Sequence, residues 1–140
     1  MVDKVMLLRK LAEMEDYLGQ IKEFSHITPE DYAKDWKTQR IVERTLQIMI
    51  EICVDIANHI IADRKYRVPF SYADTFKVLQ EEGIIHAELS GNMERMARFR
   101  NILVHHYNKL DASTMVTLLR EQLEDFLRYK DSILRTLESP

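Results

Sequence analysis

Residues 38–63 read TQRIVERTLQIMIEICVDIANHIIAD, a stretch with neither glycine nor proline. At about 100° per residue, Leu46, Ile48, Met49, Ile50, Ile52, Cys53, Ile56, Ala57, Ile60 and Ile61 cover more than half the circumference of a helix. A helix apolar over so wide an arc must be covered on most sides, so the stretch predicts the central element of a helical bundle. The narrow edge that remains holds Arg44, Glu51, Asp55 and Asn58, spaced seven, four and three apart and therefore aligned. That edge reads either as a solvated, salt-bridged face or as the polar wall of a cleft.

Working outward, Leu7, Leu11, Met14, Leu18 and Ile21 alternate steps of four and three, the seam of an amphipathic helix over about residues 3–25. Thr28-Pro29-Glu30-Asp31 supplies a cap, a proline at the first helical position and two carboxylates that suit the helix dipole. A helix starts there and runs into the central stretch, with a bend or break expected near Asp35-Trp36-Lys37. Lys65 to Phe70 interrupts the pattern; Ser71 then caps a helix over about 72–82 that Gly83 ends. From Ile84 the apolar spacing resumes through Leu89, Met93, Met96, Phe99, Ile102 and Leu103 towards Tyr107, with Gly91-Asn92 as the expected internal break. After a turn at Asn108–Asp111, Asp111 or Ser113 caps a last helix through Met115, Leu118, Leu119, Leu123, Phe126 and Ile133, fraying by Pro140. No repeat or linker divides the chain. The expectation is one all-α domain over residues 1–140, a bundle of about five helices.

Composition agrees: 3 Gly and 3 Pro in 140 residues leave few breaks, and 46% hydrophobic with 31% charged residues is an ordinary globular balance. Cys53 is the single cysteine, so no intrachain disulfide forms and the cytoplasm is the expected compartment. The first ten residues lack a signal-peptide core, and no apolar run is read as approaching the roughly 18 residues of a spanning helix, so no membrane role is expected. A net charge of -3 argues against binding nucleic acid through bulk charge. Local charge has to decide.

Gly-rich phosphate loops, G-x-S-x-G, H-E-x-x-H and paired cysteines are all missing. His26, His59, His86, His105 and His106 offer no pair at i, i+3 or i+4, so neither a metal nor another cofactor is expected. Cys53 falls inside the apolar arc, where a thiol stays protonated and serves packing. The exception is Met96-Ala97-Arg98-Phe99-Arg100-Asn101-Ile102-Leu103-Val104-His105-His106-Tyr107, a helix end that collects cations, imidazoles, an amide and a phenol. Between residues 92 and 109, four cations (Arg95, Arg98, Arg100, Lys109) stand against one carboxylate, Glu94. Phosphate is drawn to such a segment. An imidazole moves protons near neutral pH and a guanidinium stabilises charge on a phosphoryl oxygen, so phosphodiester chemistry is the expectation. Cations and imidazoles at a helix C-terminus also suit the dipole without any catalysis. On one continuous helix Arg100 and His105 would point about 140° apart. Either the helix unwinds before His105, or two copies of the segment face each other across a two-fold dimer.

Arg100, four residues, His105, one residue and Tyr107 resemble the R-x-x-x-x-H-x-Y motif of the HepT-like HEPN toxins. Asn101 occupies the polar position that commonly follows the arginine. Arg44-Thr45-Leu46-Gln47 with Glu51 and Asp55-Ile56-Ala57-Asn58-His59 looks like that family's central helix. Gly83-Ile84-Ile85, Met93, Met96 and Phe99 look like its approach to the motif, so the resemblance spans roughly residues 3–135. It implies a HEPN-like homodimer acting as a metal-independent endoribonuclease toxin on RNA, paired with a small MNT-type nucleotidyltransferase antitoxin. His105 would be the general base or acid, Arg100 would stabilise the phosphorane, and Asn101 would orient His105 or phosphate. Tyr107 matches the tyrosine that such antitoxins modify with AMP, adding bulk and negative charge where an RNA phosphate must sit. His106 departs from the pattern as a second imidazole able to share proton transfer. Glu51 and Asp55 are candidates for the cleft wall. The competing expectation is a non-catalytic helical partner or accessory subunit of a small nucleotidyltransferase.

Overall fold

The computed structural model describes residues 3–106, 108 and 110–138. Among them lie seven α-helices and a short 3-10 turn at 22–24: α1 Lys4–Ile21, α2 Pro29–Lys34, α3 Trp36–Arg64, α4 Tyr72–Glu81, α5 Ala87–His105, α6 Ala112–Glu121 and α7 Glu124–Glu138. Side-chain caps start most of them. Thr28 accepts from the Asp31 amide, Ser71 from the Asp74 amide and Asp111 from the Ser113 amide.

The all-helical class holds, and the count differs because two of the five expected helices are each divided. Asp35 adopts a non-helical backbone and its carboxylate accepts from both the amide and the hydroxyl of Thr38, so it ends α2 and caps α3. The last helix divides at Gln122-Leu123, where the amides of Asp125 and Phe126 bond three residues back instead of four. Gly91-Asn92, by contrast, does not break α5, since Ser90 and Met93 on either side are buried and packing holds the helix through a weak former.

Helix α3 runs through the centre. Met49, Ile50, Cys53, Ile56 and Ala57 are wholly buried, and α1, α4 and α5 pack around it. By length and hydropathy α3 is enough to cross a membrane, contrary to the expectation from the sequence, yet 61% of its apolar window is buried within the protein. Two of its carboxylates, Glu51 and Asp55, are taken up by cations of other helices, as suits a core helix. The Tyr129 hydroxyl in α7 donates to the Cys53 carbonyl at 2.7 Å, and its ring meets Phe76 of α4 edge to face at 5.6 Å. One buried bond thus ties α7 to the middle of α3. Burial pushes the Cys53 thiol well above its ordinary range, in line with a packing role.

The α3–α4 connection is braced. Lys65 ends α3 in the left-handed region at φ 57°, and Arg67 then reaches Asp74 at 2.7 and 2.9 Å and Glu81 at 2.9–3.0 Å. The guanidinium hydrogen bonds hold the Asp74 carboxyl down at about 2. This fixes the first turn of α4, and with it Tyr72. Tyr129→Phe keeps the ring and loses the bond to α3, so it should lower stability by about 1 kcal/mol, whereas Tyr129→Ala should lose about 3–5 kcal/mol; urea unfolding of both variants checks the order.

A guanidinium clamp and two exposed imidazoles on the fifth helix

Arg100 lies on the side of α5 that faces α3. Its Nε donates to Glu51 Oε2 at 2.7 Å, and Nη2 meets the same oxygen at 2.6 Å. Gln47, one turn earlier on α3, donates to that oxygen as well, at 3.2 Å. The guanidinium lies over the Tyr72 ring, 5.0 Å from its centroid. Asn101 accepts from Arg100 Nη1 at 3.4 Å, a long bond from the adjacent residue. The side chains of Arg100 and Glu51 are 19% and 32% exposed, so the pair is partly withdrawn from water. Three helices therefore meet at Arg100: α3 through Gln47 and Glu51, α4 through Tyr72, and α5 itself.

Five positions on, His105 is the last residue of α5 and is exposed. The helix does not unwind before it, because the His106 amide still bonds the Ile102 carbonyl at 2.8 Å. Arg100 and His105 are thus about 140° apart around the axis and about 7.5 Å apart along it. Of the two arrangements expected from the sequence, the unwound helix is removed. His106 caps the helix through its backbone, and its ring is exposed too. Tyr107 and Lys109 lie outside the described residues.

The polar edge of α3 is divided between neighbours. Glu51 belongs to Arg100, whereas Asp55 forms an ion pair with Lys10 of α1 and lies 3.7 Å from His59 on its own helix. Asp55 therefore fastens α1 to α3, one turn away from the guanidinium. Arg44 is exposed at the other end of the edge and, with Arg40, Glu43, Gln47 and Leu103, lines a cavity of about 270 Å³ between α3 and α5. Arg98 points to solvent, with Glu94 3.8 Å away. Among the described residues no three His, Cys, Asp or Glu side chains are arranged to hold a metal ion.

Tyr72 and Gln47 were not singled out as site residues by the sequence. Tyr72 follows the Ser71 cap and carries no spacing relation to Arg100; only the packing of α4 on α5 brings the two together. Gln47 could have been found, since it lies four residues before Glu51 on the same helical edge.

Comparison with known proteins places this geometry. The family model described as Ribonuclease HepT-like matches residues 14–133. A relative named mRNA nuclease HepT, from Shewanella oneidensis, is 31% identical over 128 residues, covering 91% of this chain and 96% of the relative. Another, named tRNA nuclease HepT, from Aphanizomenon flos-aquae, is 28% identical over 140 residues, covering 98% of this chain and 95% of that one. Among solved structures, a tri-AMPylated Shewanella oneidensis HEPN toxin in complex with its MNT antitoxin superposes with a TM-score of 0.86 at 30% identity, covering 95% of this chain and 98% of that one. The cytosolic protein YutE of Bacillus subtilis shares the fold, with a TM-score of 0.82 at 22% identity, covering 98% of this chain and 92% of that one.

Because the Arg100–Glu51 pair is only partly buried, Arg100→Ala should cost about 1–2 kcal/mol, small against the about 5–15 kcal/mol of a typical domain. Thermal unfolding with unchanged helical circular dichroism at 25 °C is the expected result.

Proposed function

Since the chain belongs to the HepT-like ribonuclease family, we propose that it is an endoribonuclease toxin of a toxin–antitoxin pair, with residues 1–140 acting as one domain in the cytoplasm. The observation that carries the reading is the clamped Arg100 on an unbroken helix that ends in an exposed His105. A held guanidinium and a solvent-accessible imidazole are the two groups that cleavage of a ribose phosphodiester by internal attack requires.

His105 accepts the proton of the ribose 2′-hydroxyl as the 2′-oxygen attacks phosphorus. The P–O5′ bond breaks, and the 5′-oxygen leaves with a proton delivered by an imidazolium, either His105 itself or the His106 beside it. The products are a 2′,3′-cyclic phosphate and a 5′-hydroxyl, so no water is consumed in this step. Arg100 stabilises the charge on the non-bridging oxygens of the phosphorane. A guanidinium has five N–H donors; Glu51 holds it through Nε and Nη2 and Asn101 accepts a long bond from Nη1, which leaves the second N–H of each terminal nitrogen for phosphate. Glu51, Gln47 and Tyr72 are positioning residues in this scheme, and Asn101 orients Arg100 or the phosphate.

The two groups diverge on one helix, so the working site is composite: Arg100 of one protomer and His105 of the other act on one phosphate across a two-fold axis. The partner in the cell is an MNT-type nucleotidyltransferase. It silences the enzyme by transferring AMP to Tyr107, two residues past His105, placing fixed negative charge where the substrate phosphate binds.

In the presence of a chelator the wild-type protein should cleave RNA and leave cyclic phosphate ends, and Arg100→Ala and His105→Ala should each lower the rate by at least about 10²-fold. Mixing these two inactive variants after subunit exchange should restore about a quarter of the wild-type rate, because half the dimers are mixed and each of those has one intact site of two. No recovery in exchanged dimers would place both groups of a site on one protomer. Intact RNA with the wild-type protein, together with a stable complex with the nucleotidyltransferase, would replace the enzyme with a non-catalytic partner.

A further inference from the structure

Two carboxylates stand near Arg44 on α3, and both are taken by other guanidinium groups. Glu43 accepts from Arg40 Nη1 with its two oxygens, at 3.0 and 3.2 Å, and Glu51 holds Arg100 at 2.6 and 2.7 Å. Among the described residues Arg44 makes no hydrogen bond or ion pair, and its side chain is exposed. Its charge is therefore uncompensated, on a chain whose net charge is -3. A surface arginine needs no ligand on that account alone. Its place in the fold supplies the argument.

Arg44 is seven residues before Glu51, so the two lie within about 20° of each other around α3. Gln47, between them, donates to the same Glu51 oxygen that Arg100 holds. Across the groove stands Leu103, three residues past Arg100 on α5, about 4.5 Å along the axis and 60° around it. Arg44, Gln47 and Leu103 line one cavity of about 270 Å³. On both helices, then, the cavity is the next turn after the Arg100 clamp. A helical turn rises about 5.4 Å, a step similar to that between successive phosphates of an extended strand.

The charge around it has the sign that phosphate requires. Lys37, Arg40 and Arg44 follow one another at steps of three and four, which keeps them on one side of α3, and Glu43 is the single carboxylate between residues 36 and 47. Asp35, just before them, is turned to the amide and hydroxyl of Thr38. Arg40 is partly neutralised by Glu43, so Arg44 is the cation beside the clamp with a full charge and a whole fork of donors to offer. Contacts of this kind to a nucleic-acid backbone fix register without reading sequence.

We propose that Arg44 binds the phosphate next to the scissile one and so sets the register of the strand over Arg100. The proposal rests on the ribonuclease reading for its substrate, and binding of a strand that cannot be cleaved tests it separately.

In that arm, a single-stranded oligonucleotide lacking 2′-hydroxyls is titrated by fluorescence anisotropy across about 50–200 mM salt. Arg44→Ala should bind more weakly, with a slope of log affinity on log salt shallower by about 0.7, the loss of one single-strand phosphate contact. Arg44→Lys should restore the slope. Because Arg44 is exposed and unpaired, Arg44→Ala should unfold at the wild-type temperature, so lost binding is not lost folding. In the second arm, cleavage of an RNA oligonucleotide by Arg44→Ala should show KM raised about ten-fold and kcat within about two-fold of wild type. A dinucleoside monophosphate carries the scissile phosphate and no neighbour, so the two proteins should cleave it with equal kcat/KM. An unchanged salt slope, or an equal loss on the dinucleoside monophosphate, overturns the proposal. Arg44-dependent strand binding by a protein that cleaves no RNA supports the phosphate site and sinks the nuclease reading instead. Unaltered strand binding by Arg44→Ala, with weaker capture by the nucleotidyltransferase, makes this edge a protein contact and overturns the assignment to phosphate.

Discussion

An α-helix advances about 100° per residue, and α5 keeps that pitch without interruption from Ala87 to His105. Everything about the proposed chemistry follows from this rigidity. A flexible loop could bend an imidazole back towards a guanidinium five residues earlier; a helix cannot. The price in geometry is that one protomer presents Arg100 on one side and His105 on another, and the gain is that each is held in place by the same core. Met93, Met96, Ala97 and Leu103 are buried along α5 and prevent it from rolling. In the proposed two-fold arrangement, groups so fixed would meet with little freedom left to lose on binding substrate.

The guanidinium is held with equal care. Arg100 is surrounded by a carboxylate, an amide and an aromatic face from two other helices. Glu51 offsets part of its charge, which weakens attraction to any phosphate in the ground state. It also sets the direction of the remaining N–H bonds, and directed donors act most strongly where charge is greatest, on the phosphorane. On a chain whose net charge is -3, loose electrostatic attraction contributes little, so positioning has to supply more of the catalysis.

The sequence made the helical class, the central helix and the motif legible because each rests on local periodicity or spacing. Ser71 and Asp111 as caps were legible for the same reason, since a cap acts on amides two or three residues away. What escaped depended on contacts remote in the chain. Gly91-Asn92 reads as a break by propensity, but the buried neighbours outvote it. The division at Gln122-Leu123 carries no glycine or proline, and the buried Leu119, Leu123 and Phe126 around it show that packing chose the bend. Glu51 and Asp55 looked equivalent on one edge, and only the positions of α1 and α5 assign one to Lys10 and the other to Arg100.

That assignment gives α3 a role beyond filling the core. Its apolar arc is gripped on most sides, so its polar edge cannot rotate, and each carboxylate along the edge is delivered to a different task. Asp55 fastens α1 and Glu51 aims the guanidinium, while Glu43, about 80° from Glu51 around the axis, lies off that edge and pairs with Arg40 of its own helix. A single rigid helix thereby sets where the guanidinium of α5 is aimed relative to the docking of α1. Were that edge built on a loop, the guanidinium would drift relative to the core; built on a deeply buried helix, it is held in fixed register.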